Sequence, residues 1–258
     1  MPEGDTVYRS ATHLNQALAG AELTRCEIRV PRFATVDLTG QSVDSVLSRG
    51  KHLLIRVGET SIHSHLRMEG TWHLYRHGTD WRRPNWQARA ILATKDWLAV
   101  GFQLGTLNVL SREEEASAIG YLGPDLLGAD WDPAEVLRRL TANPERAIGL
   151  ALLDQRVMAG LGNVYRNEIC FLRGVLPTRT VGEIAQPAGL VDVAHRAILA
   201  NRDRAQRTTT GMPHGTLFWV YGREHKPCLR CGATIRRGQL GEDALELRDT
   251  YWCPRCQL

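Results

Sequence analysis

The sequence contains no apolar run approaching the roughly 18 residues that a membrane-crossing helix needs. Its opening stretch holds Glu3, Asp5 and Arg9 where a secretion signal would place unbroken apolar residues. A soluble, cytoplasmic protein without membrane contact is therefore expected. Internal repeats and low-complexity tracts are also lacking, which excludes solenoids and compositionally disordered chains. Charge of one sign is scarce too: 32 Lys and Arg against 28 Asp and Glu leave a formal net charge of +4, too little to argue by itself for a polyanionic partner.

What is present is unevenly distributed. The 258 residues, 43% of them hydrophobic, suffice to bury one large core or two ordinary ones. Between Arg202 and Arg237, eight cations (Arg202, Arg204, Arg207, Arg223, Lys226, Arg230, Arg236 and Arg237) face only Asp203 and Glu224. That concentration suits either a phosphate-tracking surface or a solvated helix face. Of six cysteines, Cys26 and Cys170 stand alone, whereas Cys228, Cys231, Cys253 and Cys256 form two Cys-x-x-Cys units 21 residues apart. In a chain without a secretion signal this pattern means metal rather than disulfides. Four thiolates filling a tetrahedral shell make one structural zinc ion, with no position left for a reactive water.

The hydrophobic pattern divides the chain. Val7, Ala11, Leu14 and Leu18 have helical spacing, with Asp5 expected to cap the start and Gly20 to end the helix. Short alternating runs follow: Cys26 to Val30, Leu53 to Val57, Ser61 to Met68, Ala90 to Ala93, Trp97 to Phe102 and Leu107 to Leu110, which predict an antiparallel sandwich or barrel. Asp132-Pro133-Ala134-Glu135 reads as a capping box opening a helical half, with further helices over Glu145 to Gln155, Asn163 to Leu172 and Leu190 to Arg204.

The start, Met1-Pro2-Glu3-Gly4, carries chemistry only if Met1 is removed, because Pro2 then becomes a free secondary amine. An α-amino group with a pKa near 8 is appreciably neutral, hence nucleophilic, around pH 7. Attack on a sugar C1′ would give an iminium ion that acidifies the C2′ proton, and Glu3 would move protons during ring opening. Without further context, a disordered terminus is the simpler reading of these two residues.

Five segments occur in one order: Met1-Pro2-Glu3-Gly4, Ser48-Arg49-Gly50-Lys51, Gly160-Leu161-Gly162-Asn163, Val220-Tyr221-Gly222-Arg223 and Tyr251-Trp252-Cys253-Pro254. Together they resemble the formamidopyrimidine-DNA glycosylase and endonuclease VIII family over the whole chain. The resemblance implies an α+β fold: an N-terminal β-sandwich over residues 1–125, a helix-two-turn-helix domain over 131–222 and a four-cysteine zinc finger over 223–258. It implies Pro2 as Schiff-base nucleophile, Glu3 as catalytic acid, Lys51 as a phosphate ligand that assists elimination, and Arg248 as the arginine of the zinc-finger hairpin. Arg236 and Arg237 compete for that last role, and Glu242, Asp243 and Glu246 on a long hairpin would repel DNA. Asn163 would bind phosphate at a helix start, where a plain helix cap is the other reading. Arg67 and Arg223 are further DNA-contact candidates. Met68 falls where the family places a wedge that fills the gap left by a flipped base, though a methionine ending a strand also suits a core. His63 and His65 share a strand face without a third ligand and read as structural.

Departures narrow the branch. Asp5-Thr6 replaces the family's usual proline and glutamate, and no Arg-Arg-Phe-Gly wedge occurs between Ala99 and Leu110. The endonuclease VIII branch is the closer match, implying a monomer acting on damaged DNA, chiefly at oxidised pyrimidines, by base removal and β,δ-elimination. An oxidised-purine glycosylase and a catalytically inactive zinc-ribbon DNA-binding protein are the alternative readings.

Overall fold

The computed structural model describes residues 2–258 and divides into two compact units, residues 1–121 and 122–258. The question of Met1 removal lies outside the described residues. None of the described helices is long and apolar enough to cross a membrane.

The first unit is a β-sandwich with one helix beneath its start. Helix α1 spans Gly4–Leu18; its N-cap is Glu3 rather than Asp5, which lies inside the first turn and accepts a hydrogen bond from the Thr6 N–H at 2.7 Å. Gly20, at φ 78°, takes the left-handed conformation that ends the helix. The strands are β1 (Arg25–Ile28), β2 (Val43–Arg49), β3 (His52–Val57), β4 (Thr60–His65), β5 (Thr71–Tyr75), β6 (Ala88–Ala93), β7 (Leu98–Phe102) and β8 (Thr106–Ser111). They form two antiparallel four-stranded sheets, in the orders β1-β6-β7-β5 and β2-β3-β4-β8. Val7, Ala11, Leu14 and Leu18 of α1 join Leu53, Ile55, Val57, Ile62, Leu92 and Ala99 in one core.

The expected in-and-out alternation through Met68 fails. Strand β4 ends at His65, and Ser61, Ile62, His63 and Ser64 are all buried. The cause is α2 (Arg112–Ile119), absent from the sequence reading, whose buried Glu115 receives Arg56 Nη2 at 2.5 Å and the Ser61 hydroxyl from the sheet. Its signal was legible: Ser111 and Glu114 form a reciprocal capping box.

The second unit opens with α3 (Pro133–Thr141). Asp132 caps it, accepting from the N–H groups of Ala134 and Glu135, but the box is not completed because Glu135 turns to Arg138 and Arg139. The helix expected over Glu145 to Gln155 shrinks to α4 (Ile148–Ala151): the N–H groups of Ile148 and Gly149 are claimed by the carbonyls of Arg179 and Pro177. Helix α5 (Asn163–Leu172) has the expected bounds, whereas α6 runs from Pro187 to Leu199: it starts earlier than the pattern suggested, with Pro187 in its first turn, and also stops earlier. Strands β9 (Arg236–Leu240) and β10 (Arg248–Trp252) form the closing hairpin.

Candidate active site and nucleic-acid interface

Pro2 is half-buried at the chain start, and Glu3 beside it is fully buried. The Glu3 carbonyl accepts the N–H groups of Thr6 and Val7 at 3.0 and 3.1 Å, so the first turn of α1 fixes both residues at the positive end of a helix dipole. Lys51 occupies the two-residue turn between β2 and β3, set by the Arg49–His52 pair. Gly50 stands first in that turn at φ 56°, the conformation that hairpin turns require there and glycine adopts without strain.

Register then assembles a histidine cluster beside Lys51. His52 pairs across the sheet with His65, and Leu54 with His63. The rings of His52 and His63 meet edge to edge in planes 23° apart, centroids 5.0 Å apart, and His65 meets His52 edge-on at 5.3 Å. His52 Nδ1 lies 2.8 Å from His63 Nε2, and His52 Nε2 lies 3.2 Å from the Tyr121 hydroxyl. Burial, then the charges of His63, His65, Lys51 and Arg67, push the His52 imidazole down to about 3; burial, Arg67 and Lys51 push His65 down to about 4. These rings are neutral at pH 7. His63 and His65 are thus members of a larger group; the strand-pairing register that adds His52 is not visible in either strand alone.

Past β4 the chain turns at Arg67, whose φ of 54° is held by its N–H donating to His65 Nδ1 at 3.0 Å. Met68, on the same turn, is 63% exposed, which removes the core explanation for it.

In the second unit, α5 is buried along nearly its whole length despite four polar residues. Asn163 Nδ2 donates to the Asp249 carbonyl at 2.9 Å, and its Oδ1 accepts from Arg166 Nη2 at 2.5 Å. Arg166 Nη2 also reaches the Asp249 carbonyl at 2.9 Å and Thr250 Oγ1 at 2.8 Å, while Asn167 Oδ1 accepts the Tyr251 N–H at 2.6 Å. Glu168 accepts the N–H groups of Trp219, Val220 and Tyr221 at 2.8, 2.9 and 2.8 Å and the Thr209 hydroxyl. Burial pushes its carboxyl up from the ordinary range against the pull of these donors. Sequence reasoning singled out Asn163 and missed Arg166, Asn167 and Glu168; the signal was three consecutive polar residues in an otherwise apolar helix.

These contacts hold the hairpin that carries Arg248. Arg248 is exposed at the start of β10, whereas Arg237 is paired with Asp249 at 2.9 Å and Glu224 at 3.4 Å. Glu242, itself exposed, pairs with Arg146 at 2.5 Å, and Arg146 also pairs with Asp154 at 2.7 Å. Arg223 donates to the carbonyls of Trp219 and Pro227 at 2.6 and 2.8 Å, bracing the segment ahead of the cysteines. Arg230 lies over Phe171 and Trp219, and Arg207 over Tyr165. Arg202, Arg207 and Arg223 are half-buried, while Arg204, Lys226, Arg230, Arg236 and Arg237 remain exposed.

The four paired cysteines converge, with all Sγ atoms within 4.8 Å of one another. Cys228 and Cys256 are 3.9 Å apart, Cys231 and Cys253 3.4 Å. Four sulfurs at about 2.3 Å from a tetrahedral zinc ion would stand about 3.8 Å apart, so the cluster fits that metal.

Known proteins share this organisation. Residues 1–103 match the formamidopyrimidine-DNA glycosylase N-terminal domain, and residues 122–208 match the H2TH domain of the same glycosylase. The chain is 54% identical, over its full length and 94% of the relative's, to the probable endonuclease 8 2 of Streptomyces coelicolor. It is 53% identical, over its full length and 99% of the relative's, to the DNA-(apurinic or apyrimidinic site) lyase Nei2 of Mycolicibacterium smegmatis. Among solved structures, a complex of the Lactococcus lactis glycosylase Fpg with abasic-site DNA shares the fold at a TM-score of 0.81, 22% identity and 99% coverage of both chains. A β-sandwich opening on Pro2 and Glu3, a helical unit closed by four clustered cysteines and these full-length likenesses agree: the chain belongs to the formamidopyrimidine-DNA glycosylase family, among its endonuclease VIII members.

Proposed function

We propose that the protein is a bifunctional DNA glycosylase and abasic-site lyase that removes oxidised bases, mainly pyrimidines, from damaged DNA. The observation that carries this reading is likeness over the entire chain to relatives named endonuclease 8 and abasic-site lyase. The preference for pyrimidines is supported by the connection from β7 to β8, where only Gln103, Leu104 and Gly105 intervene and no arginine stands.

With Met1 removed, the Pro2 nitrogen attacks C1′ of a flipped nucleotide, and the C1′–base bond breaks as the base takes up a proton. Glu3, buried at the same helix start, donates a proton to O4′ as the sugar ring opens to the iminium ion. Loss of the C2′ proton expels the 3′ phosphate; a second elimination expels the 5′ phosphate, and water releases Pro2 from the remaining fragment. Lys51 and Arg248 hold phosphates, Asn163 and its neighbours fix the hairpin behind Arg248, and exposed Met68 fills the vacated stack. One zinc ion, held by Cys228, Cys231, Cys253 and Cys256, ties the finger together and takes no part in the chemistry.

Borohydride added to protein and abasic DNA should trap a covalent adduct whose peptide map places the DNA on residue 2. Extra residues ahead of Pro2 convert its amine to an amide and should abolish trapping while sparing binding. An adduct on Lys51, or efficient trapping by the extended protein, would make lysine the nucleophile.

A further inference from the structure

The Tyr121–His52–His63 chain lies outside the roles assigned above, and its polarity can be worked out from one atom. His63 is buried, and its Nδ1 has no hydrogen-bond partner among the described residues. A bare lone pair there costs less than a stranded N–H, so the proton of neutral His63 belongs on Nε2. That N–H donates to His52 Nδ1 at 2.8 Å, which leaves the single proton of His52 on Nε2, donating to the Tyr121 oxygen at 3.2 Å. The Tyr121 hydroxyl is thereby an acceptor within the cluster and must aim its own hydrogen elsewhere. It is 48% exposed, and Lys51 directly precedes His52 while the Arg67 N–H donates to His65 of the same cluster. Burial lowers both imidazoles from their ordinary range, which disfavours the doubly protonated rings.

We propose that Tyr121 donates a hydrogen bond to a phosphodiester oxygen of bound DNA, forming an additional phosphate subsite beside Lys51, with His52 and His63 as positioning residues that fix the direction of its hydroxyl. The ligand is a phosphate oxygen because Tyr121 is bonded to His52, which Lys51 directly precedes in the turn, and His52 meets His65, whose Nδ1 accepts the Arg67 N–H, so the donor belongs to a cluster flanked by two cations, a setting that favours an anion. This inference rests on the DNA-repair reading above.

The probe is duplex DNA carrying a tetrahydrofuran abasic analogue, with binding measured over a range of salt. Tyr121→Phe removes one hydroxyl and no charge, so affinity should fall about tenfold with an unchanged salt slope. His63→Leu should weaken binding similarly, and adding Tyr121→Phe to it should cost little more, because both act through one chain. His63→Gln keeps an Nε2 donor and should restore most of the affinity. Nitrogen NMR of the imidazoles should show His52 and His63 protonated at Nε2. Wild-type affinity in Tyr121→Phe, additive losses in the double variant, or a proton on His52 Nδ1 would overturn the inference. Borohydride trapping keeps the two readings apart: wild-type protein that traps abasic DNA while Tyr121→Phe binds normally sinks only the subsite. A Tyr121-dependent affinity in a protein that never traps sinks only the chemistry.

Discussion

Arg166 is the strongest test of how the second unit holds its hairpin. It is fully buried, and a single nitrogen serves Asn163 Oδ1, the Asp249 carbonyl and Thr250 Oγ1. Arg166→Met keeps most of the side-chain volume and removes these bonds. Hydrogen bonds from a charged donor contribute about 1.5–3 kcal/mol each, and the two N–H groups of Nη2 place the gross loss at about 3–6 kcal/mol. Part is offset. The Asp249 carbonyl keeps its bond from Asn163 Nδ2, Thr250 keeps its donation to the Arg248 carbonyl, and no guanidinium then needs desolvation. A net loss of about 3 kcal/mol remains. The local assay is amide exchange at Tyr251, whose N–H is held by Asn167 at 2.6 Å on the same helix face; protection there should fall about 100-fold. Arg166→Lys should recover little, because the lysine chain is one bond shorter and its ammonium stops short of the point, held by Nη2, that all three acceptors share. Unchanged Tyr251 protection in Arg166→Met, or full recovery with lysine, would refute this account.

Two further outcomes are expected. Cys253→Ser should lower bound zinc, measured by atomic absorption, below one equivalent and weaken DNA binding together with it, since the finger around Val220, Ile235 and Phe171 has few other apolar residues. Glu168→Gln should be destabilising, and the advantage of the native residue should depend on pH with a definite sign. Its folded carboxyl titrates above the unfolded one, so its stabilisation is fully present below the unfolded pKa and declines as pH rises through the folded pKa. Denaturant unfolding at pH 4.5 and 7.5 should therefore show the larger gap at the lower pH, and a gap that widens on going to pH 7.5 would mean that the four donors outweigh burial.

The parts of the fold that could be read from sequence are those set by local rules. Helix α5 and the β-strands around Leu53 and Leu92 follow apolar spacing, and the zinc cluster follows from two short cysteine units. What escaped depends on pairing at a distance. Nothing in the run His63-Ser64-His65 announces that a cross-strand neighbour adds His52, or that Glu115 arrives from a helix to bury the strand's second face. Of the three acids on the long hairpin, Glu242 pairs with Arg146, 96 residues away in sequence, a partner that no local pattern announces, while Asp243 and Glu246 stand exposed. The carbonyls that engage Arg223 and the aromatic face under exposed Arg230 are likewise set by tertiary packing and are not visible locally.

Helix α5 also decides how divisible the protein is. Tyr165, Ile169 and Cys170 belong to the helical core, while Phe171 belongs to the cluster around Cys228 and Cys253. The finger is consequently no detachable cassette: a chain cut before Pro227 would strip the cover from Phe171 and leave Arg166 without Asp249 and Thr250. Grafting this finger onto another scaffold would have to carry the ten residues of α5 with it, and recombination within such genes would find no neutral seam between helix and finger.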